Sequence, residues 1–143
     1  MFTGDYECSV DAKGRLTMPA KFREQLSKES FYINQGSEGQ LNLYTQKEWA
    51  IIMDKMSQVK GNVKAVNQLK RMVIGTAQEL ELDSNGRVTL TSKLKTYANF
   101  NKKALVVGLG DKIEIWSVEK YNEVNNVDFA ETMDIAGEYG IDF

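Results

Sequence analysis

The chain has 143 residues, 42% of them hydrophobic and 27% charged, with a formal net charge of −2. That is the composition of an ordinary globular protein, with room for one compact domain or two intimately packed halves. It has no histidine and one cysteine, so it lacks the commonest general base and metal ligand, and neither an intrachain disulfide nor a cysteine-rich zinc site can form. A single thiol, Cys8, fits a reducing cytoplasm. No apolar run approaches the roughly 20 residues that span a bilayer, and MFTGDYECSV has no basic region leading into an apolar stretch, so no secretory signal is expected.

Tyr6, Cys8 and Val10 alternate with polar residues, and so do Leu16 and Met18, which predicts two strands. Ala12-Lys13-Gly14 between them predicts a short hairpin loop. Pro19 suits the first turn of a short helix whose stripe is Phe22 and Leu26. Phe31–Asn34 and Gln40–Tyr44 read as strands around a Gly36–Gly39 turn, and Thr45-x-x-Glu48 is a capping box opening a helix through about Met56. Val63, Val66, Leu69 and Val73 fall at helical spacing, predicting a connecting helix. Strands around Ser84-Asn85-Gly86 follow, then a short helix near Ser92–Tyr97, a hairpin through Gly108–Asp111, and a helix capped by Ser117. The stretch Asp128–Phe143 is acidic with two glycines, and is expected to be partly ordered at best.

The order of elements repeats because the sequence does. Asp-x-x-Gly-Arg occurs as Asp11–Arg15 and Asp83–Arg87, 72 residues apart. The same spacing places Glu7 on Glu79, Thr17 on Thr89, Lys21 on Lys93 and Gly36 on Gly108, and it matches apolar classes from residue 7 to residue 49 without a gap. Each copy is too small to be comfortably stable alone, so the copies are expected to share a core. The boundaries implied are a first half over 1–60, a connecting helix over 61–78, a second half over 79–127 and an acidic tail over 128–143. Two copies in one chain predict pseudo-twofold symmetry and outward arginines in pairs, which favours a symmetric binding surface over a catalytic pocket.

Charge is segregated. Residues 122–143 hold six acids and no Lys or Arg, leaving 18 basic against 14 acidic side chains in residues 1–121, a balance of +4. Residues 55–78 carry Lys55, Lys60, Lys64, Lys70 and Arg71 and no acid. Such asymmetry hints at an anionic partner, and it equally describes solvated helix faces. If Leu16 and Met18 face the core, Arg15 and Thr17 face out, and the same alternation turns Arg87 and Thr89 outward. A guanidinium beside a rigid turn can contact phosphate or guanine bidentately. Alternatively, Asp11 pairs with Arg15 and Asp83 with Arg87, pinning each turn. The two roles are compatible. Lys21 and Arg23 recur as Lys93 and Lys95, and Lys13 has Asn85 as its counterpart. No phosphate-loop motif is present, and Gly108-Leu109-Gly110-Asp111 reads as a tight turn rather than a dinucleotide fingerprint.

MFTGDYECSVDAKGRLTMPAKFREQL, ELDSNGRVTL and VVGLGDKIEIWSVEKY, in that order, resemble the MraZ family of bacterial proteins over roughly residues 1–121. The resemblance implies a β-rich α+β fold: two tandem AbrB-like swapped-hairpin halves forming one pseudo-twofold β-barrel with flanking short helices. It also implies a non-enzymatic, cytoplasmic and nucleoid-associated transcriptional regulator of the division and cell-wall gene cluster, including its own operon. The expected partners are promoter DNA carrying repeated short G-rich boxes and further copies of the chain in a ring, with no cofactor, membrane or small-molecule substrate. On that analogy Arg15 and Arg87 are DNA-contact candidates, supported by Lys13, Lys21, Arg23, Lys93 and Lys95. The second copy departs from the family pattern at Thr91, where Pro is usual, and at Lys95, where Arg is usual. An assembly module whose arginines make intersubunit salt bridges is the alternative.

Overall fold

The structure is a computed structural model describing residues 1–143. Its strands are β1 (Asp5–Ser9), β2 (Arg15–Thr17), β3 (Phe31–Gln35), β4 (Leu41–Thr45), β5 (Gln78–Leu80), β6 (Arg87–Thr89), β7 (Lys103–Gly108) and β8 (Ile113–Ser117). Its helices are α1 (Ala20–Leu26), α2 (Gln46–Ser57), α3 (Val63–Val73), α4 (Ser92–Ala98), α5 (Val118–Val124) and α6 (Phe129–Glu138). The fold is a strand-rich α+β fold with antiparallel pairing throughout.

The strands form a six-stranded sheet in the order β1-β7-β8-β4-β3-β5 and a separate two-stranded ribbon, β2-β6. The expected single closed barrel is therefore absent. No continuous ladder joins the ribbon to the sheet. Instead of folding back on β2 as a regular hairpin, β1 pairs along its length with β7, and only the Val10–Leu16 bridge joins the two strands of the expected hairpin. Likewise β5 pairs with β3, and β6 with β2. Each half lends its first strand to the other half's hairpin.

The sheet order reads the same from either end once first-copy strands are exchanged for their second-copy equivalents. Glu7 opposite Leu105 is repeated as Glu79 opposite Tyr32, and Cys8 opposite Ala104 as Leu80 opposite Phe31. The pseudo-twofold axis passes through Leu16–Val88 in the ribbon and Asn42–Glu114 in the sheet. The ungapped 72-residue alignment needs one correction. Buried Phe31 and Ile33 correspond to Ala104 and Val106 (104 − 31 = 73), because a spacing of 72 would put exposed Lys103 in the place of Phe31. A one-residue slip in a strand reverses every side chain, so burial decides the register.

One core of 18 buried residues draws on both copies. The ribbon contributes Leu16 and Val88, the short helices Phe22 and Leu94, and the sheet Phe31, Ile33, Leu41, Leu43, Ala104, Val106, Ile113 and Ile115. Phe2 and Tyr6 both meet the Phe22 ring edge-on with centroids 5.4 Å away, a geometry that adds about 0.5–1.5 kcal/mol per pair beyond burial. Helix α2 is capped by the Thr45 side chain, which accepts from the Glu48 N–H, and it is held to the sheet by Trp49 stacked on Tyr32. Phe2 and Trp49 are both buried. In the second copy the aromatic pair is exchanged: Tyr44–Trp49 becomes Trp116–Tyr121.

Two peripheral helices leave their apolar residues uncovered. Helix α3 forms as the periodicity predicts, but it buries none of its residues, and Val63, Leu69 and Met72 are exposed. The acidic C-terminal stretch is helical over Phe129–Glu138, where the Asp128 carboxylate accepts from the Glu131 N–H.

Candidate nucleic-acid interface

The two Asp-x-x-Gly-Arg segments fold into the same turn. Asp11 Oδ1 accepts from the Lys13 and Arg15 backbone N–H groups at 3.0 and 2.9 Å, and the backbone closes through Gly14 N–H to the Asp11 carbonyl. Asp83 Oδ1 accepts from Asn85 and Arg87 at 2.9 and 3.0 Å, and Gly86 N–H donates to the Asp83 carbonyl. This is the Asx arrangement, in which a short carboxylate stands in for a turn carbonyl. Each glycine adopts positive φ, +78° at Gly14 and +74° at Gly86, a region that a Cβ makes costly. Each aspartate's second oxygen takes the arginine Nε, at 2.6 Å for Arg15 and 3.2 Å for Arg87. The pairing across each turn is therefore real.

The backbone N–H of Arg15 is the main influence holding the Asp11 carboxyl below the usual carboxylate range, and Arg87 N–H does the same for Asp83. Both carboxylates stay ionised at neutral pH and each anchors its arginine through Nε. The terminal guanidinium nitrogens of Arg15 and Arg87 make no hydrogen bond within the chain. Each guanidinium is thus oriented by a rigid turn and keeps its outer edge free.

The ribbon sets the spacing. Arg15 lies opposite Thr89 and Thr17 opposite Arg87, while Leu16 and Val88 between them are fully buried. The outer face is therefore Arg15, Thr17, Arg87 and Thr89, with no carboxylate among them. The arginines are diagonal neighbours, about 7–8 Å apart at this register. Thr17 and Thr89 complete the face. Their alternation with the buried residues already points them outward, though only the cations stand out as candidates in the sequence.

The remaining candidates divide. Lys13 is exposed on the first turn. Lys21 and Lys93 are exposed on the first turns of α1 and α4, a few residues beyond the ribbon strands. Arg23 and Lys95 are used differently. Arg23 Nε donates to the Met18 carbonyl at 2.8 Å, and its side chain lies across Gly86 of the opposite copy. Lys95 lies across Gly14 in the same manner, where a Cβ would stand 3.2 Å from its Cδ. Each is a brace between one copy's helix and the other copy's turn. At Thr91 the departure from proline is compensated locally, because its hydroxyl accepts from Leu94 N–H and opens α4.

No group of three His, Cys, Asp or Glu side chains is placed to hold a metal ion, and no helix is long and apolar enough to cross a membrane. Burial pushes the half-buried Cys8 thiol up to about 11, so it stays protonated at neutral pH.

The family model described as "MraZ protein, putative antitoxin-like" matches residues 1–71 and again residues 73–134. The chain is 38% identical over 144 residues to the transcriptional regulator MraZ of Alkaliphilus oremlandii, covering 99% of this chain and 100% of the relative. It is 40% identical over 139 residues to that of Ligilactobacillus salivarius, covering 93% and 96%. Against that of Clostridium tetani it is 36% identical over 143 residues, covering 99% and 100%. Two copies of the turn, one ribbon built from both, and full-length similarity to these relatives agree: the chain belongs to the MraZ family.

Proposed function

We propose that this protein is a sequence-specific DNA-binding transcriptional regulator that reads promoter DNA with the outer face of the β2-β6 ribbon. The observation that carries the reading is the pair of Asp-anchored arginines displayed on one two-stranded ribbon. Three residues per strand make a ribbon about 10 Å long, and a two-stranded ribbon enters the roughly 12 Å wide major groove of B-DNA. Bidentate arginine contact to guanine O6 and N7 is the commonest specific contact there, which suits G-rich boxes. Lys13, Lys21 and Lys93 serve as phosphate contacts, positioning the ribbon without reading sequence. Arg23 and Lys95 support the two turns and add positive potential. The relatives' names as transcriptional regulators support the role.

In this reading the two halves are AbrB-like, with the strand exchange between copies as the support. The targets are repeated boxes upstream of the division and cell-wall gene cluster, including the protein's own operon. The protein acts without catalysis or a cofactor in the cytoplasm, at the nucleoid. One ribbon offers few base contacts, so tight binding comes from a ring-like oligomer engaging several boxes at once, through effective concentration. In the rival reading the same free guanidinium edges bridge subunits, and Arg15→Ala then disrupts oligomers before it affects DNA binding.

The test is fluorescence anisotropy with the chain's own upstream DNA against a scrambled duplex across a salt series. Preference for the upstream DNA is expected, with affinity falling steeply as salt rises. Equal weak binding to both duplexes would remove sequence-specific regulation.

A further inference from the structure

The face of the sheet turned away from the shared core differs between the two copies. In the second copy its central polar group is fully engaged: Glu114 accepts from Gln40 Nε2 at 3.2 Å and from Trp116 Nε1 at 3.1 Å. Its partner across the pseudo-twofold axis is Asn42 of the first copy. Asn42 is only 7% exposed, and its Oδ1 accepts from Lys112 Nζ at 3.5 Å. Its Nδ2 donates to no group in the chain. That amide is not sealed away, because Asn34 Oδ1 is the only fully enclosed side-chain polar atom without a partner. A mostly buried donor with nothing to donate to marks a place for an incoming acceptor.

Asn42 lines a groove of about 720 Å³ between α2, α3 and the sheet. Tyr44, Ile52, Leu69 and Met72 supply much of its apolar lining, Lys55 is its only cation, and no carboxylate lines it. Lys55 takes part in no ion pair. The α3 wall is tied to the sheet at its C-terminal end, where Asn34 Nδ2 donates to the Val73 carbonyl at 3.0 Å and Thr76 Oγ1 accepts from the Gln35 N–H at 3.2 Å. The second copy does not repeat the other wall, since α5 has 7 residues against 12 in α2 and stops before the positions that match Lys55 and Met56. The groove has the size of small-molecule sites, roughly 300–1,000 Å³, and their character, mostly apolar with a few placed polar groups.

We propose that the α2-α3 groove binds a small amphipathic monoanion, an apolar chain or ring carrying one carboxylate. The carboxylate accepts from Asn42 Nδ2, with the flexible Lys55 ammonium closing over it, and the apolar body lies against Tyr44, Ile52, Leu69 and Met72. One cation and one free donor, with no carboxylate beside them, select a single negative charge over a neutral or cationic head. The site is built outside the β2-β6 ribbon, so it stands or falls separately from DNA recognition.

The experiment titrates the full chain with anilinonaphthalene sulfonate, an aromatic monoanion that fluoresces in apolar surroundings, and displaces it with octanoate, octanol or octyltrimethylammonium. Saturable binding is expected, and octanoate should displace the probe at about tenfold lower concentration than the alcohol or the cation, because its head group forms charge-assisted hydrogen bonds. Lys55→Glu and Asn42→Ala should each remove most of that head-group preference, and Leu69→Trp should weaken the probe itself by filling the groove. Lys70→Glu, in a separate shallow hollow on α3, and Arg15→Ala should change nothing. Circular dichroism checks that each variant keeps its fold. Absent or unsaturable probe binding, equal displacement by all three head groups, or an unchanged preference in Lys55→Glu and Asn42→Ala would overturn the proposal. Probe binding that falls as the chain is concentrated would overturn it too, assigning the groove to a second copy.

Discussion

Replacing Gly86 with alanine perturbs the second turn and the brace across it at once, and the two costs can be separated. Gly86 has φ +74°, and a residue with a Cβ in left-handed conformation costs about 1–2 kcal/mol. The new Cβ would also stand 2.6 Å from Arg23 Nε and 2.7 Å from its Cδ, displacing the hydrogen bond from Arg23 to the Met18 carbonyl. A hydrogen bond of this kind contributes about 1 kcal/mol net. The expected loss is therefore about 2–3 kcal/mol, which lowers the melting temperature by roughly 5–10 °C for a chain of this size. In an Arg23→Ala background the clash and the hydrogen bond are already gone, so Gly86→Ala should cost only about 1–2 kcal/mol. Urea denaturation of the four proteins in that cycle measures the coupling. Strict additivity would refute the claim that Arg23 braces the opposite turn, and return it to the list of free DNA-contact cations.

Leu16 is fully buried at the centre of the ribbon, so Leu16→Ala should cost about 2–5 kcal/mol by urea denaturation; a cost under about 1 kcal/mol would mean that the ribbon does not share the core. The depressed Asp11 and Asp83 carboxyls stabilise the fold above the ordinary carboxylate value of 3.8, and that contribution is lost as pH falls through their lower folded values. Asp11→Asn with Asp83→Asn should accordingly be less stable than the parent at neutral pH, with the gap closing below about pH 4; a gap independent of pH would contradict the sign. With Cys8 raised from 9.0 to about 11, its thiolate population at pH 8 is about 100-fold below that of a free cysteine, and alkylation should be slower by at least that factor. Rapid alkylation of the folded chain, matching the rate in denaturant, would show that the strand does not shield the thiol.

The elements and the paired outward arginines were legible because they rest on local signals: alternation, capping side chains and turn residues. Strand partners were not. Tyr6, Cys8 and Val10 alternate identically whether they face Leu16 across a turn or Val106 across the molecule, and only the shared core selects β7. The register shift at β3 and β7 escaped for a related reason, since matched glycines at 36 and 108 favoured a uniform spacing while burial of Phe31 and Ala104 enforces another. Periodicity located α3 but does not report whether an apolar stripe meets its own chain. The C-terminal helix carried a readable signal in Asp128-x-x-Glu131, a capping pattern obscured by the acidic composition around it. Within the site, the sequence left open whether each Asp pins its Arg. The turns show that it does, through Nε, with the outer edge of each guanidinium left over.

The most direct test of the ribbon as the reading surface is the ratio of affinities for upstream and scrambled DNA, measured by anisotropy for the parent, Arg15→Ala and Lys21→Ala. Arg15→Ala should lose about 1–3 kcal/mol per site on upstream DNA and shrink the ratio, whereas Lys21→Ala should weaken both duplexes alike and leave the ratio intact. An undiminished ratio in Arg15→Ala would contradict base reading by the ribbon arginine.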